Sequence, residues 1–360
     1  MKRILSLSGG GVRGVVEVAF LEAIEEIYQK RGYERLSDVF DLVGGTSTGA
    51  LIAGAISLGK PISDIRKFYT EEAPKLFGKR RIWLLLTLPI FDTQALEKAI
   101  IDQVGEVTLG DPKLQTYLGI VSKRLDTGSP WILSNIPTAP YFEDDPSQGF
   151  IGNKHYRLSK LLRASSAAPT LFQQETLEIA PNEPPGVFVD GGASPFNDPS
   201  VALFMLARMK AFGLQWPLGV DNLSVLSIGT GRYRRQVKPQ VAARFLQFRV
   251  AYETLRGMIS DAEGHALTLM QWMGHSDAPA SINSEINDLE GDNLFGDPAF
   301  RFQRLDLPID KEKLADVGVK VSDADIQRFY SIDDPGIIGD LLDVSREYCK
   351  KAYDLEKLLP

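Results

Sequence analysis

Residues 3–14 read Arg-Ile-Leu-Ser-Leu-Ser-Gly-Gly-Gly-Val-Arg-Gly, a short apolar run that stops at three consecutive glycines. From residue 12 to residue 31, polar and apolar side chains then recur with helical spacing. The predicted water-facing side of this helix carries Glu22, Glu25, Glu26 and Gln29. The stretch therefore predicts a buried strand, a glycine turn and a helix.

The same order of elements returns immediately afterwards. Residues 39–43, Val-Phe-Asp-Leu-Val, predict a second strand that stops at Gly44 and Gly45, and residues 50–58 predict a second buried helix. Two successive strand-turn-helix units favour an α/β fold with a parallel sheet. Further strands are predicted at residues 114–122, 131–134, 186–189, 223–228 and 300–307. Further helices are predicted at residues 61–77, 92–104, 158–168, 199–212, 240–273 and 337–358.

The composition is that of a globular protein and excludes several classes of function. The 360 residues are 44% hydrophobic and 24% charged, which excludes a collagen-like or wholly disordered chain. A net charge of −7 argues against binding driven by a basic surface, so neither DNA nor RNA is an expected partner. The single cysteine, Cys349, excludes an internal disulfide and suits a reducing compartment.

No stretch approaches the ~20 continuous apolar residues that span a bilayer. The most apolar candidate, residues 82–91, is interrupted by Pro89 and follows the basic run Lys79-Arg80-Arg81. At the start of the chain, glycines interrupt the sequence before a signal-peptide apolar region of roughly 7–15 residues forms. We therefore expect a cytoplasmic protein, peripheral at the inner face of the cell membrane if residues 82–91 are a lid or docking element rather than a buried segment.

The glycine run at residues 9–14, Gly-Gly-Gly-Val-Arg-Gly, is the first motif with chemical meaning. Glycines let the backbone turn, so that N–H groups at a helix start face an anion. In a dinucleotide site, Gly9, Gly11 and Gly14 would supply G-x-G-x-x-G, and Glu34 would bind the ribose about 20 residues further on. The same donors also suit an oxyanion hole, and a tight turn for helix packing needs the same glycines. The motif alone leaves all three interpretations open.

Residues 45–49, Gly-Thr-Ser-Thr-Gly, lie between a predicted strand and a predicted helix. This is the G-x-S-x-G pattern and the context of a nucleophile elbow, in which Gly45 and Gly49 leave room for a sharp turn. The pattern predicts Ser47 as a nucleophile. The alternative is that Thr46, Ser47 and Thr48 only cap the helix.

A serine nucleophile needs a base, which is usually histidine. The chain has three histidines, His155, His265 and His275. In a Ser-His-Asp triad of the α/β-hydrolase order, His265 or His275 would serve. Both lie in or beside a predicted helix rather than in a loop after a strand, so a surface or packing role is favoured.

Asp190 offers a different base. It follows the predicted strand at residues 186–189 and precedes Gly191 and Gly192. At the carboxyl end of a parallel strand, we expect its side chain to face the crevice where α/β active sites lie. An aspartate base combined with the glycine-loop oxyanion hole would need no histidine.

The glycine loop, the elbow and Asp190-Gly191-Gly192, in this order, resemble the patatin-like phospholipase family. Its pattern is G-G-G-x-R/K-G, G-x-S-x-G and D-G-G/A. With the similar stretches at residues 164–172, 197–199 and 226–231, the resemblance spans roughly residues 3–231. It implies a three-layer α/β/α sandwich with a mainly parallel central sheet, and a dyad of Ser47 and Asp190. The implied oxyanion hole comprises Gly9, Gly10, Gly11, Arg13 and Gly14.

The resemblance also implies a function and a division of the chain. Residues 1–235 would be the catalytic domain, a phospholipase that cleaves ester bonds of membrane glycerophospholipids through an acyl-enzyme without cofactor, metal or calcium. Residues 236–360 would be a mostly helical C-terminal extension that covers or regulates it.

Residues 269–273 and 284–289 look like segments of bacterial patatin-like effectors of antiphage defence that a cyclic oligonucleotide activates. This likeness implies activation by a cyclic di- or trinucleotide. The candidate nucleotide contacts are Arg232, Arg234, Arg235 and Lys238. The alternatives are a Ser-His-Asp esterase of soluble esters, a dinucleotide-dependent oxidoreductase and a nucleotide-sensing protein on a hydrolase fold.

Overall fold

The structure is a computed structural model, and it describes residues 1–78, 89–145, 147, 149–233, 239–243 and 247–360. Residues 79–88 lie outside the described residues, and they include the basic run at residues 79–81 and most of the predicted lid or docking element at residues 82–91. The predicted nucleotide contacts Arg234, Arg235 and Lys238 also lie outside the described residues. Within the described ranges, no helix is long and apolar enough to cross a bilayer.

The predicted elements occur in the predicted order, and the structure adds short elements at residues 36–39, 175–177, 311–316 and 323–329. The strands are β1 (Lys2–Leu7), β2 (Leu42–Thr46), β3 (Tyr117–Arg124), β4 (Pro130–Ser134), β5 (Glu175–Leu177), β6 (Gly186–Asp190), β7 (Leu223–Ile228) and β8 (Arg301–Leu305). The helices are α1 (Gly14–Lys30), α2 (Leu36–Val39), α3 (Thr48–Ser57), α4 (Ile62–Lys67), α5 (Ala73–Phe77), α6 (Thr93–Val104), α7 (Leu158–Ser165), α8 (Ser200–Arg208), α9 (Pro239–Ala242), α10 (Gln247–Met273), α11 (Lys311–Asp316), α12 (Asp323–Phe329), α13 (Ile338–Ala352) and α14 (Leu355–Leu358).

In the described residues, the strands form one sheet of eight strands in the order β5-β6-β3-β2-β1-β7-β8, with β4 also paired to β3. Strands β3, β2, β1, β7 and β8 are mutually parallel. Strands β4 and β6 run antiparallel to β3, and β5 runs antiparallel to β6. The predicted α/β class is confirmed, with a parallel centre and antiparallel strands towards one edge.

Successive side chains of the central strands point to opposite faces of the sheet, and each face is covered by helices. Ile4 belongs to a buried cluster with Leu203 of α8 and Met270 of α10. Its neighbour Leu5 belongs to the other cluster, which includes Ile24 of α1 and residues of α3 and α13. The three-layer α/β/α architecture is therefore confirmed.

The second strand differs from its prediction. Residues 36–39 form the short helix α2, and β2 runs through Gly44 and Gly45 to Thr46 instead of stopping at the glycines. A Cβ atom on Gly44 would lie 2.3 Å from Leu203 Cδ2 and 2.8 Å from the carbonyl oxygen of Gly119. The glycine is thus needed for close packing within the sheet rather than for ending the strand.

The polar side of α1 also differs from its prediction at one position. Glu25, predicted to face water, is buried, and its carboxylate accepts a hydrogen bond from the Ile62 N–H at 3.3 Å. The segment from Pro61 onward packs across α1 at this point, which the periodicity of α1 alone does not reveal.

The C-terminal part of the chain contributes to the same sheet. Strand β8 pairs in parallel with β7 from Ser224↔Arg301 to Ile228↔Leu305. Leu341 and Leu342 of α13 belong to the same buried cluster as α1. The sheet therefore continues past the predicted domain boundary at residue 235, and the boundary itself stays a prediction.

Candidate active site

Ser47 lies at the sharp turn between β2 and α3. Its backbone has φ 54° and ψ −119°, a left-handed conformation that is costly for a residue with a side chain. A Cβ atom on Gly45 would lie 2.1 Å from the carbonyl carbon of Gly49, and one on Gly49 would lie 2.3 Å from the Leu7 carbonyl oxygen. The structure thus has the elbow geometry that the sequence predicts, with both glycines required by close contacts.

Strand β3 brings Asp190 to Ser47. On β3, Val121 pairs with Thr46, the last residue of β2, and the next residue, Ser122, pairs with Asp190, the last residue of β6. The Ser47 hydroxyl donates a hydrogen bond to Asp190 Oδ2 at 2.6 Å. Asp190 ends an antiparallel strand, so the expectation of a parallel strand was wrong. The carboxyl ends of β2 and β6 still meet, because the two strands run in opposite directions along β3 and end beside its neighbouring residues Val121 and Ser122.

Asp190 is held in a buried, polar setting. Its side chain also accepts a hydrogen bond from the Gly192 N–H at 2.7 Å, and the residue is 6% exposed. A Cβ atom on Gly191 would lie 2.4 Å from the Val121 carbonyl oxygen, which explains the small residues after the aspartate. Burial raises the pKa of Asp190 to about 6, although the hydrogen bonds from Ser47 and Gly192 and the Arg163 charge oppose this rise.

Two residues near this pair had no role in the sequence prediction. The hydroxyl of Ser165 accepts a hydrogen bond from the Ser47 N–H at 2.9 Å and donates one to the Val121 carbonyl at 2.6 Å. Arg163 is fully buried, donates to the Gln173 carbonyl and lies over the Phe172 ring. Ser165 lies in the family-like stretch at residues 164–172 and Arg163 immediately precedes it, but a serine or an arginine in a predicted helix carries no local signal of such contacts.

The predicted oxyanion residues do not all have the same role. Gly9 donates its N–H to the Asn197 carbonyl at 3.0 Å. Within the described ranges, the N–H groups of Gly10 and Gly11 have no protein acceptor. A Cβ atom on Gly14 would lie 2.4 Å from Thr48 Oγ1, so this glycine allows α1 to pack against the elbow. Gly10 and Gly11 therefore keep donors that are open to a ligand.

Arg13, predicted near the oxyanion, is buried and makes its described contacts elsewhere. Its guanidinium donates to the Gly231 carbonyl at 3.3 Å and lies 5.2 Å from the centre of the Tyr233 ring. Both contacts belong to the segment after β7. A role for Arg13 at the oxyanion stays a prediction.

The structure does not bring the residues of the other interpretations together. Glu34 is exposed and follows α1, whose 17 residues lead away from the glycine loop by about 25 Å. His155 contacts Asp144 at 2.7 Å, and His275 contacts Asp277 at 3.3 Å. His265 is exposed on α10. In the part of the chain that the structure describes, the hydroxyl of Ser47 is bonded to a carboxylate and not to a histidine.

The profile of the family described as patatin-like phospholipase matches residues 5–203, which is more than half of the chain. Patatin-like protein 1 of Arabidopsis thaliana is 30% identical over 262 residues, 65% of this chain and 60% of that protein. The cGAMP-activated phospholipase of Vibrio cholerae is 30% identical over 245 residues, 63% of this chain and 64% of that protein. The chain thus spans less than two thirds of the length of these curated relatives.

Among solved structures, human GIVD cytosolic phospholipase A2 is similar to this chain with a TM-score of 0.46 and 15% sequence identity. The similarity covers 99% of this chain and 59% of that structure.

Proposed function

Because this chain belongs to the patatin-like phospholipase family, we propose that it hydrolyses the carboxylic ester bonds of membrane glycerophospholipids through Ser47 and Asp190. The observation that carries the proposal is the 2.6 Å hydrogen bond from the Ser47 hydroxyl to Asp190 at the elbow. A base works best when its pKa lies near the working pH, and burial raises the pKa of Asp190 to about 6.

The reaction proceeds in two acyl-transfer steps. Asp190 accepts the Ser47 proton while Oγ attacks the ester carbonyl, and the N–H groups of Gly10 and Gly11 bind the resulting oxyanion. The intermediate collapses, and the leaving lysophospholipid oxygen takes the proton from Asp190. Water then attacks the acyl-enzyme, gives a proton to Asp190 and releases the fatty acid as that proton returns to Ser47. Each oxyanion donor contributes roughly 3 kcal/mol to lowering the barrier.

Activation by a cyclic di- or trinucleotide is the second part of the proposal. It is supported by the name of the Vibrio cholerae relative, a cGAMP-activated phospholipase. Of the predicted contacts, Arg232 donates to the carbonyls of Ser281 and Ile282, at 2.5 Å and 2.8 Å. These bonds tie the segment after β7 to the loop that follows α10. A cytoplasmic enzyme that visits the membrane from its inner face fits this regulation and substrate.

The test is release of fatty acid from phospholipid vesicles, with and without a panel of cyclic di- and trinucleotides. We expect Ser47→Ala and Asp190→Asn to lower kcat by about four orders of magnitude. A matched control is Asp323→Asn, since this carboxylate is 83% exposed on α12. Undiminished release by either active-site variant would exclude the dyad. Hydrolysis of soluble esters without release from vesicles would replace the lipid substrate by a soluble one.

A further inference from the structure

The peptide bond between Gly9 and Gly10 is held by two hydrogen bonds from side chains, and a third hydrogen bond holds the preceding peptide, between Ser8 and Gly9. The Gly9 carbonyl accepts one from Thr230 Oγ1 at 2.9 Å and one from Asn197 Nδ2 at 3.2 Å. The Gly9 N–H donates to the Asn197 backbone carbonyl at 3.0 Å. Thr230 lies in the turn after β7, outside the residues that the family profile matches.

These bonds decide where the Gly10 N–H points. A peptide unit is planar and trans, so the C=O of Gly9 and the N–H of Gly10 point in opposite directions. Glycines on both sides offer little steric resistance to rotation of this unit. A rotated peptide would turn the Gly9 oxygen towards the developing oxyanion and replace a stabilising donor by a repulsive acceptor. Asn197 and Thr230 oppose this rotation because they bind the Gly9 oxygen.

Asn197 is itself held in one orientation. Its Nδ2 also donates to Glu263 Oε1 of α10 at 2.5 Å, so the two N–H groups of this amide serve Gly9 and Glu263. Flipping the amide would point its oxygen at two other acceptors. A Cβ atom on Gly9 would lie 2.3 Å from Asn197 Oδ1, which shows how closely this side chain packs against the loop.

The turn that carries Thr230 is fixed as well. The Gly231 N–H donates to Asp306 Oδ1 at 2.9 Å, and Arg304 Nη2 donates to Asp306 Oδ2 at 2.9 Å. A Cβ atom on Gly10 would lie 2.2 Å from Thr230 Oγ1, so the loop rests directly on this side chain. Arg304 and Asp306 of the C-terminal part therefore hold the turn against which the glycine loop packs.

We propose that Asn197 and Thr230 are positioning residues that keep the Gly10 N–H directed at the oxyanion, and that Glu263 acts through Asn197. The inference rests on the proposed acyl transfer. It predicts that losing these bonds weakens binding of the transition state without weakening binding of the substrate. In kinetic terms, kcat falls while KM stays the same.

The first test compares Thr230→Val with Thr230→Ser. Valine has the shape of threonine without the hydroxyl, and we expect kcat for a soluble ester to fall roughly 10- to 100-fold with KM within about twofold. Serine restores the donor and recovers most of this loss. The matched control is Thr268→Val, since the Thr268 hydroxyl donates only to the Gly264 carbonyl of its own helix, at 2.7 Å. We expect this control variant to have the kcat of the unaltered protein.

A second readout separates positioning from a purely structural role. A trifluoromethyl ketone forms an oxyanion adduct with a serine nucleophile, so its inhibition constant should rise by the same factor as kcat/KM falls in Thr230→Val. All rates are expressed per site that a fluorophosphonate labels. Damage to the fold alone lowers the number of labelled sites and leaves kcat per site unchanged, and that result would overturn the proposal.

The second pair is Glu263→Leu and Glu263→Gln. Leucine leaves the Asn197 amide without its second acceptor, whereas glutamine keeps an oxygen there, so we expect the larger loss of kcat in Glu263→Leu. If Thr230→Val does not fold, the two Glu263 variants alone test the proposal, by the same comparison of kcat and KM per labelled site. Equal kcat in Glu263→Leu and the unaltered protein would then refute the inference. Absence of hydrolysis and labelling in the unaltered protein, both with and without the cyclic di- and trinucleotides, would instead refute the proposed function.

Discussion

The two halves of the active site are held by different parts of the chain. The nucleophile half, Ser47 and Asp190, is supported by Val121 and Ser165. All four residues lie within residues 5–203, which the family profile matches. The glycine loop is bound by Asn197 from the same range, but it depends in addition on Thr230 and Ile332, which lie beyond residue 203. The motifs therefore identify the proposed reacting groups, while the conformation of the proposed oxyanion hole depends also on a less recognisable part of the sequence.

Ile332 illustrates this dependence on the C-terminal part. Its carbonyl accepts the Val12 N–H at 2.9 Å, and a Cβ atom on Gly11 would lie 2.1 Å from the same oxygen. Gly11 has φ 61°, a conformation that glycine adopts without strain. The loop thus passes between Thr230 on one side and Ile332 on another. The predicted extension contributes to the geometry of the site and does not merely cover it.

The largest effect is expected for Arg304, which joins the two parts of the chain. Its buried guanidinium donates to Asp198 Oδ2 and to Asp306 Oδ2, both at 2.9 Å. Replacing it in Arg304→Met leaves two acids without their partner, so the free energy of unfolding should fall by about 3–5 kcal/mol. The measurement is urea denaturation followed by circular dichroism.

The control for this variant is Arg301→Met on the same strand. Its partner is Asp277, and the two side chains are 31% and 29% exposed, so the expected loss is about 1 kcal/mol or less. Equal losses in the two variants would mean that the buried cluster does not join the glycine loop to the rest of the sheet, and the contrast between the two halves would weaken.

The nucleophile half is tested by Ser165→Ala. The substitution removes, in a buried site, the hydrogen bonds that the Ser165 hydroxyl makes with the Ser47 N–H and the Val121 carbonyl, so we expect kcat to fall roughly 10- to 100-fold. The neighbouring variant Ser166→Ala is the control, because the Ser166 hydroxyl donates to the Leu162 carbonyl of its own helix at 2.9 Å. Vesicle hydrolysis measures both. Similar rates in the two variants would contradict a role for Ser165 in the elbow.

The elbow was predictable because its requirements are local. Gly45 is needed because of its contact with Gly49 in the same turn, and Gly49 because of its contact with Leu7 of the neighbouring β1, and the short G-x-S-x-G pattern contains both glycines. Asp190 was also predictable from its motif, but the direction of its strand was not. That direction depends on pairing with β3, more than sixty residues earlier in the chain. Local sequence therefore identified the proposed reacting groups and not the strand pairing that joins them.

The supporting residues were not predictable, because their roles arise from contacts across the chain. Arg304 and Asp198 are 106 residues apart, and Asn197 and Glu263 are 66 residues apart. In the sequence, each is a charged or polar residue in an ordinary strand, helix or loop. Glu25 shows the converse error, since helical spacing assigned it to water while a neighbouring segment buries it.

A smaller effect is expected in the pH dependence. Burial raises the pKa of Asp190 to about 6, and the base must be ionised, so kcat/KM should rise with pH through this value. The Arg163 charge opposes this rise, so Arg163→Met should move the midpoint upward by up to about one pH unit. Arg163→Lys keeps the charge and should leave the midpoint near its original value.

The same profile separates the two halves of the site. Thr230→Val should lower the plateau of kcat/KM without moving its midpoint, because Thr230 contacts Gly9 and not the base. A midpoint that moves in Thr230→Val as far as in Arg163→Met would mean that both halves control the ionisation of Asp190. The contrast drawn between them would then be wrong.

The smallest effect is expected for the histidines. A Ser-His-Asp mechanism would take its base from His265 or His275, both in the C-terminal part, and the nucleophile half would no longer be self-contained. None of the three histidines takes part in the hydrogen bond between Ser47 and Asp190, and the side chains of His155 and His275 are about half exposed where they contact Asp144 and Asp277. Replacing all three by alanine should therefore change kcat by less than about twofold and leave the free energy of unfolding nearly unchanged. A loss of kcat comparable to that of Asp190→Asn, with Ser47 still labelled by a fluorophosphonate, would assign the base to a histidine.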